Sequence, residues 1–408
     1  MRAMVRKSFC CAPIFLLFSA SCVSPAIAWA QTKMQMQGAA GKSAVQITPA
    51  TLDKVRGSLW GLYIGDALAM PTHWYYDQSH LRRTYGEIKG YVPAQDKLPG
   101  SIMSLSNTGG GGRGGFSGSI VGDVILKGKK QYWERGGNWF YHRGMKAGEN
   151  TLEGIITRLI TKVISSKGSF DVDEIYSRYV DLMTTPDAHN DTYAGTGHRM
   201  FFANFVKGKK PKDCPDNDGH NTDALDGLVN LPPVVYHAML EGQESAKREA
   251  MQCATLFRRS EPLKKYAQVT SALLVSLVDG ADLREALSQT GKSVGVDVKR
   301  MVERSGQDPM TACYLDSSFP SMLHFAYKYA DCPEKALLAN SNTGGENVAR
   351  GAVLGAVLGA AHGMKGFPDH LVRGLQSHAE IREEIEKYIE VLARKSGIDP
   401  ETCRDSRL

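Results

Sequence analysis

Two short phrases in the sequence gather oxygen donors at the entrance of an apolar segment. Ala147-Gly148-Glu149-Asn150-Thr151 runs into a stripe of Leu152, Ile155, Ile156, Leu159, Val163 and Ile164, and Gly344-Gly345-Glu346-Asn347-Val348 runs into a small, apolar stretch at 348–363. Each phrase has two readings. Asn, Thr and Glu at a helix start satisfy free N–H groups and suit the positive end of the helix dipole. A carboxylate, an amide oxygen and a hydroxyl in consecutive positions also fan hard ligands around one point, which suits Mg²⁺, Mn²⁺ or Ca²⁺ rather than zinc. On the second reading Glu149, Asn150, Thr151, Glu346 and Asn347 are the metal ligands. A further echo, Ser-Asn-Thr-Gly-Gly, occurs at 106–110 and 341–345.

Other polar residues stand near these phrases. Asp66 shares a helical face with Leu59, Leu62 and Met70, which makes it either a buried, hydrogen-bonded anchor or part of a site. His142 falls shortly before Glu149. Asp187, His189 and Asp191 cluster in Thr185-Pro186-Asp187-Ala188-His189-Asn190-Asp191-Thr192, and His220 and Asp223 in Gly219-His220-Asn221-Thr222-Asp223. Turn chemistry explains Asp and Asn beside Pro and Gly. A histidine in a cleft can instead serve as acid or base near neutral pH. His142, His189, Asp191 and Asp223 are therefore candidates for lining a site.

The stretch 107–122 is dominated by glycine and reads as a loop, and long loops of this kind tend to be functional. No Gly-Lys-Ser/Thr closes it, so it is not a Walker loop; Asn107 and Gly110 are its candidate substrate contacts. Tyr132, Trp133, Trp139, Tyr141 and His142 follow, an aromatic group suited to core packing or to stacking on a flat ligand.

Helices must position these groups. Thr48-Pro49 reads as a cap followed by a first-turn proline, and Val55, Leu59, Leu62, Tyr63, Ala67 and Met70 then recur at helical spacing. Further helical patterns cover 174–183, 197–206, 245–257, 263–278 and 380–394. Alternating runs of strand length are scarce, and neither a βαβ rhythm nor a dinucleotide fingerprint occurs, so the chain reads as all-α. Gly351, Gly355, Gly359 and Gly363 recur every fourth residue and give a smooth face on which another helix can approach closely. Arg350, His362 and the short length argue against a membrane span there.

With these motifs in order, the sequence resembles the ADP-ribosylglycohydrolase family. Gly61-Leu62-Tyr63-Ile64-Gly65-Asp66-Ala67-Leu68-Ala69-Met70-Pro71 is similar to the family's opening helix, Glu149-Asn150-Thr151 fits its Thr-Asp-Asp-Thr metal motif, and Gly344-Gly345-Glu346-Asn347-Val348-Ala349 fits its Gly-Gly-Asp-Thr-Asp-Thr motif. The resemblance spans most of 52–365. It implies a multi-helix orthogonal bundle around a cleft, two Mg²⁺ or Mn²⁺ ions gripping a ribose, and hydrolysis of an N- or O-glycosidic bond to ADP-ribose. The departures lie in the metal motifs. Glu149 and Asn150 replace two aspartates, Val348 and Ala349 replace an aspartate and a threonine, and the acid that often follows the opening helix falls near His73. Too few anions remain for two cations, so the expectation is one Mg²⁺ or Mn²⁺ at most, or none. Glu149, Glu346, Asp66 and His73 are the expected catalytic residues.

The N-terminus reads as an export signal over 1–30. Arg2, Arg6 and Lys7 precede an apolar run around Ile14-Phe15-Leu16-Leu17-Phe18, and Ala28-Trp29-Ala30 offers a cleavage site. Ser19-Ala20-Ser21-Cys22 makes a poorer case for a lipoprotein. Residues 31–47 read as a flexible tether and 48–408 as one domain. The formal charge of the 408-residue chain is +6, and loss of the leader's three basic residues leaves +3, too little to form a face for nucleic acid or an anionic membrane. Composition excludes a disordered or collagen-like chain. The five cysteines beyond the leader form no CxxC and argue against zinc. The expected function is that of an exported hydrolase acting on an ADP-ribosyl or nucleoside-like substrate, or on an ADP-ribosylated protein, without stable membrane insertion. The alternatives are a non-catalytic binding protein that kept the fold and an unrelated all-α glycosidase.

Overall fold

In α1 (Pro49–Ala69) and in Val348–His362, small residues recur every fourth position, and this spacing decides the centre of the fold. The two helices lie antiparallel, with Gly57 against Gly359, Gly61 against Gly355 and Gly65 against Gly351, so closely that a Cβ at any of these positions would run into the opposing backbone. Both helices are buried along most of their length. The partner of the smooth glycine face is thus the opening helix itself.

The computed structural model describes residues 45–101, 103, 108–111, 118–134 and 136–403, all within the unit 43–408. The leader, most of the tether and Asn107 lie outside the described residues. After α1 the order is α2 (Gln78–Tyr85), α3 (Leu152–Lys167), α4 (Val172–Thr184), α5 (Thr196–Phe205), α6 (Leu231–Ala238), α7 (Gln243–Ala254) and α8 (Glu261–Val278). There follow α9 (Leu283–Ser293), α10 (Val298–Arg304), α11 (Leu315–Lys328), α12 (Pro333–Thr343), α13 (Val348–His362), α14 (Asp369–Arg373) and α15 (His378–Lys395). Among the described residues there is no sheet, only isolated bridges such as Ala224 with Tyr314. No helix there is long and apolar enough to cross a membrane. The all-α reading holds.

Local signals act as the sequence suggests. The Thr48 hydroxyl accepts from the Thr51 N–H at 3.1 Å, and Pro49 opens α1. Around the central pair, α15 is clamped by Arg56, whose guanidinium reaches Glu386 at 2.6 and 2.8 Å, and by Arg158 on α3, which grips Glu384 at 2.7 and 2.9 Å. The buried His198 on α5 joins Tyr179 on α4 at 2.7 Å and Glu153 on α3 at 2.8 Å. These ties fix the directions in which α3 and α13 start.

Replacing Gly355 by Leu should destabilise the protein by at least about 3 kcal/mol, because the side chain has no space to enter and the helix pair must separate. Thermal unfolding of Gly355→Leu beside Gly90→Ala, where a Cβ meets nothing within 4 Å, checks this; the second variant should melt like the parent.

Candidate active site

Pro71 ends the first helical stretch, and a single tight turn, Met70–Thr72, delivers His73 beside the start of α13. Trp74 follows with φ of 60°, a left-handed backbone that costs a non-glycine residue on the order of 1–2 kcal/mol. The backbone holds it there. Trp74 N–H donates to Gly345 O and Gly345 N–H to Tyr75 O, both at 2.7 Å. Gly344 and Gly345 both have positive φ, which lets the turn before α13 come this close.

Glu346, on that turn, accepts from the Ala349 N–H at 3.1 Å and so caps α13 with its own side chain. Its Oε1 lies 3.6 Å from His73 Nε2. His73 Nδ1 meets His142 Nε2 at 2.6 Å, and His142 Nδ1 meets Asp191 Oδ1 at 2.8 Å. Asp191 Oδ2 accepts from the Leu152 N–H at 2.9 Å, so a distant aspartate caps α3. One run of polar contacts therefore joins the two helix starts through Asp191, His142, His73 and Glu346, all of them buried.

The proton positions follow from the partners. Burial alone would lift the Asp191 carboxyl, yet His142 and the N–H groups of Tyr193 and Leu152 outweigh it and hold the group at about 2, ionised at neutral pH. Ionised Asp191 must receive the His142 Nδ1 proton. Where His142 donates from Nδ1 alone, its Nε2 accepts from His73 Nδ1–H. Burial lowers His73 to about 4, against the pull of Glu346, so this ring is neutral. His73 Nε2 is left as a buried lone pair with no hydrogen-bond partner, facing a carboxylate oxygen. One water can donate to both acceptors, and a ribose hydroxyl to one of them. Asn347 Oδ1, on the same turn, is also buried without a partner.

Aromatic rings wall this run. Trp74 stacks on His73 with centroids 4.0 Å apart and meets Tyr141 and Tyr193 edge-on at 4.4 and 5.0 Å. Trp133 lies parallel to Tyr193, under the guanidinium of Arg199. Trp74 and Tyr193 are half-buried. Trp133 and Tyr141 thus belong to the site wall, whereas Tyr132 and Trp139 lie under the side chain of Arg143.

Other candidates are used differently. Asp66 is fully buried and accepts from Thr151 Oγ1 on one oxygen, at 2.6 Å, and from the Thr151 N–H and Asn150 Nδ2 on the other, at 2.8 and 2.9 Å. Burial lifts it to about 6, against these hydrogen bonds. It anchors the α3 start and offers substrate no free oxygen. Asn150 Nδ2 and Thr151 Oγ1 act here as donors to Asp66. Glu149 is not brought to the run: its Oε2 closes its own turn on the Lys146 N–H at 2.7 Å and takes Asn190 at 3.2 Å. Asp223 accepts from Ser260, the cap of α8. His220 meets the Tyr314 hydroxyl. His189 accepts Lys129 on its backbone oxygen, its Nδ1 being buried without a partner. Gly110 presses on α5 at the Arg199 carbonyl, which seats that end of the glycine-rich segment. Sequence reasoning missed Trp74, Tyr193 and Arg350; the Pro71–Trp74 phrase after the opening helix was the available signal for the first.

The donor set does not fit Mg²⁺ or Mn²⁺. Asp66 is buried under three donors, Asn150 spends its N–H groups on Tyr63 O and Asp66, Val348 and Ala349 offer no oxygen side chain, and Asn347 Oδ1 beside Glu346 is the one orphaned buried oxygen among the expected ligands. Among the described residues no three His, Cys, Asp or Glu side chains converge as ligands.

The bundle and the motif order define an all-α glycohydrolase fold. The family model described as ADP-ribosylglycohydrolase matches residues 47–400, and the chain belongs to that family. Among solved structures, one titled "ADP-ribosylglycohydrolase-related protein complex" is similar in fold, with a TM-score of 0.54 at 18% identity, covering 86% of this chain and 100% of that one. No curated protein matches in sequence.

Asp191 has a depressed pKa, so its contribution to stability is present above about 4 and is lost as pH falls toward about 2. That loss should be on the order of 2 kcal/mol. Chemical unfolding across this range should show it in the parent, while Asp191→Asn should be less stable at neutral pH and lack the acid-dependent segment.

Proposed function

We propose that this chain hydrolyses the N- or O-glycosidic bond of an ADP-ribosyl or nucleoside-like substrate, using His73 as base and Glu346 as its partner. The observation that carries this is the bare His73 Nε2 opposite Glu346 Oε1, backed by His142 and ionised Asp191. A water donating to both acceptors is aimed as well as activated. As it attacks the anomeric carbon, its proton passes to His73 Nε2, and Asp191 stabilises the positive charge that develops on the paired imidazoles. Trp74 and Tyr193 offer faces for the ribose or a base, and family membership supports a ribosyl substrate. The basic, apolar, small-residue pattern of 1–30 supports an exported enzyme cleaved near Ala30.

The binding-protein alternative is favoured by one observation, the loss of oxygen side chains at Val348 and Ala349. Turnover separates the two. Glu346→Gln and His73→Gln should each lower hydrolysis of ADP-ribosyl or nucleoside substrates by about 10²- to 10⁴-fold, with an unchanged circular dichroism spectrum. Calorimetric binding of ADP-ribose with no hydrolysis by the parent would favour the binding protein; undiminished hydrolysis in both variants would remove His73 and Glu346 from the reaction. In the parent, kcat/KM should fall as pH drops through about 4, where His73 takes up a proton and can no longer act as base.

A further inference from the structure

We infer that the site works without a divalent cation, and that the His73–His142 pair backed by Asp191 does for the attacking water what a bound metal ion would otherwise do. This deepens the hydrolytic reading above and rests on it for the role of His73, whereas the ion-free character of the site rests on donor geometry alone.

The argument begins at the α3 start. Both Asp66 oxygens are taken by three donors, and Asn150 Nδ2 is fixed between two acceptors, Tyr63 O at 2.8 Å and Asp66 Oδ2 at 2.9 Å. Turning the amide over would set its oxygen against two acceptors, Tyr63 O and Asp66 Oδ2. Asp191 is spent on His142 and on the N–H groups of Leu152 and Tyr193. At the α13 start, Glu346 Oε1 holds Ala349 N–H, and the buried guanidinium of Arg350 acts electrostatically on the same carboxylate. Arg350 is locked by Asn340 Oδ1 at 2.6 Å, Gly344 O at 2.8 Å and Thr311 Oγ1 at 3.1 Å, and cannot withdraw. A divalent ion needs several anionic or carbonyl oxygens and tolerates no fixed positive neighbour. Here one carboxylate remains with the amide oxygen of Asn347 beside it, and a buried guanidinium already acts on that carboxylate.

What a metal ion supplies to hydrolysis is a water that loses its proton easily. The imidazole pair supplies the same result by accepting that proton. The O–H bond of the water breaks and its proton goes to His73 Nε2. The water oxygen bonds to the anomeric carbon. The glycosidic bond breaks with its electron pair leaving on the departing N or O atom, which takes up a proton from the imidazolium. One water is consumed, and the pair returns to its starting protonation. No co-reactant is needed.

The test uses the chain purified and dialysed against a chelator. Elemental analysis should find no stoichiometric metal, added Mg²⁺ or Mn²⁺ should leave the melting temperature unchanged, and any hydrolysis should be insensitive to the chelator. In ¹⁵N spectra of the imidazoles, His73 Nε2 should appear as an unprotonated nitrogen, and Mn²⁺ should not selectively broaden His73 or His142. One tightly held ion per chain, or Mn²⁺ binding that Glu346→Gln abolishes, would overturn the inference. A chain that binds no ion, shows the bare nitrogen and hydrolyses nothing supports the ion-free site and counts against the hydrolytic reading instead.

Discussion

Two helix starts, α3 and α13, point their unpaired N–H groups into one region of the protein, and the buried carboxylates that answer them govern everything around the site. Asp191 serves Leu152, Glu346 serves Ala349, and Asp66 serves Thr151. A buried anion is tolerable only with such partners. Once the carboxylates are in place, the two imidazoles between them have little freedom. Asp191 dictates the His142 tautomer, His142 dictates that of His73, and the sequence of donors runs out at His73 Nε2. His73 Nε2 is thus what remains of the network, a buried atom to which it supplies no donor, as it supplies none to Asn347 Oδ1 on the facing turn.

That arrangement depends on how closely α1 approaches α13. Because glycines meet across the pair, the end of α1 lies against the beginning of α13, and the chain needs only one tight turn to place His73 beside Glu346. The strained backbone at Trp74 belongs to the same constraint. It is stabilised by two backbone hydrogen bonds to Gly345 and by ring packing against His73, Tyr141 and Tyr193. Strain held by surrounding contacts at a reactive position is a recurrent way of fixing geometry that a relaxed turn would not keep.

Membership of the ADP-ribosylglycohydrolase family fixes the architecture, but the side chains at the two helix starts have been redistributed. Hydroxyl and amide groups near α3 donate to Asp66, and aliphatic side chains follow Glu346 at α13. Within the protein, the buried Arg350 guanidinium acts electrostatically on Glu346, and His142 with the N–H groups of Leu152 and Tyr193 hydrogen-bonds Asp191.

Much of this was legible in the sequence. Helical periodicity located the long helices, Thr48-Pro49 marked the start of α1, and the four-residue glycine spacing announced a tightly packed helix. The motif order revealed the family. Less regular helices were harder to see: the short α6 opens on Pro232 and Pro233 in its first turn, and α11 contains Pro320 in its interior, where proline ordinarily breaks a helix. Residue types alone also could not say which way an amide or carboxylate would face. Glu149 and Glu346 occupy equivalent places in echoing phrases, yet one folds back on its own turn and the other meets a histidine. Local sequence determines which backbone groups need partners; the partners here come from positions 66, 73, 142, 191 and 346, and only the packing of distant helices brings them within hydrogen-bonding reach.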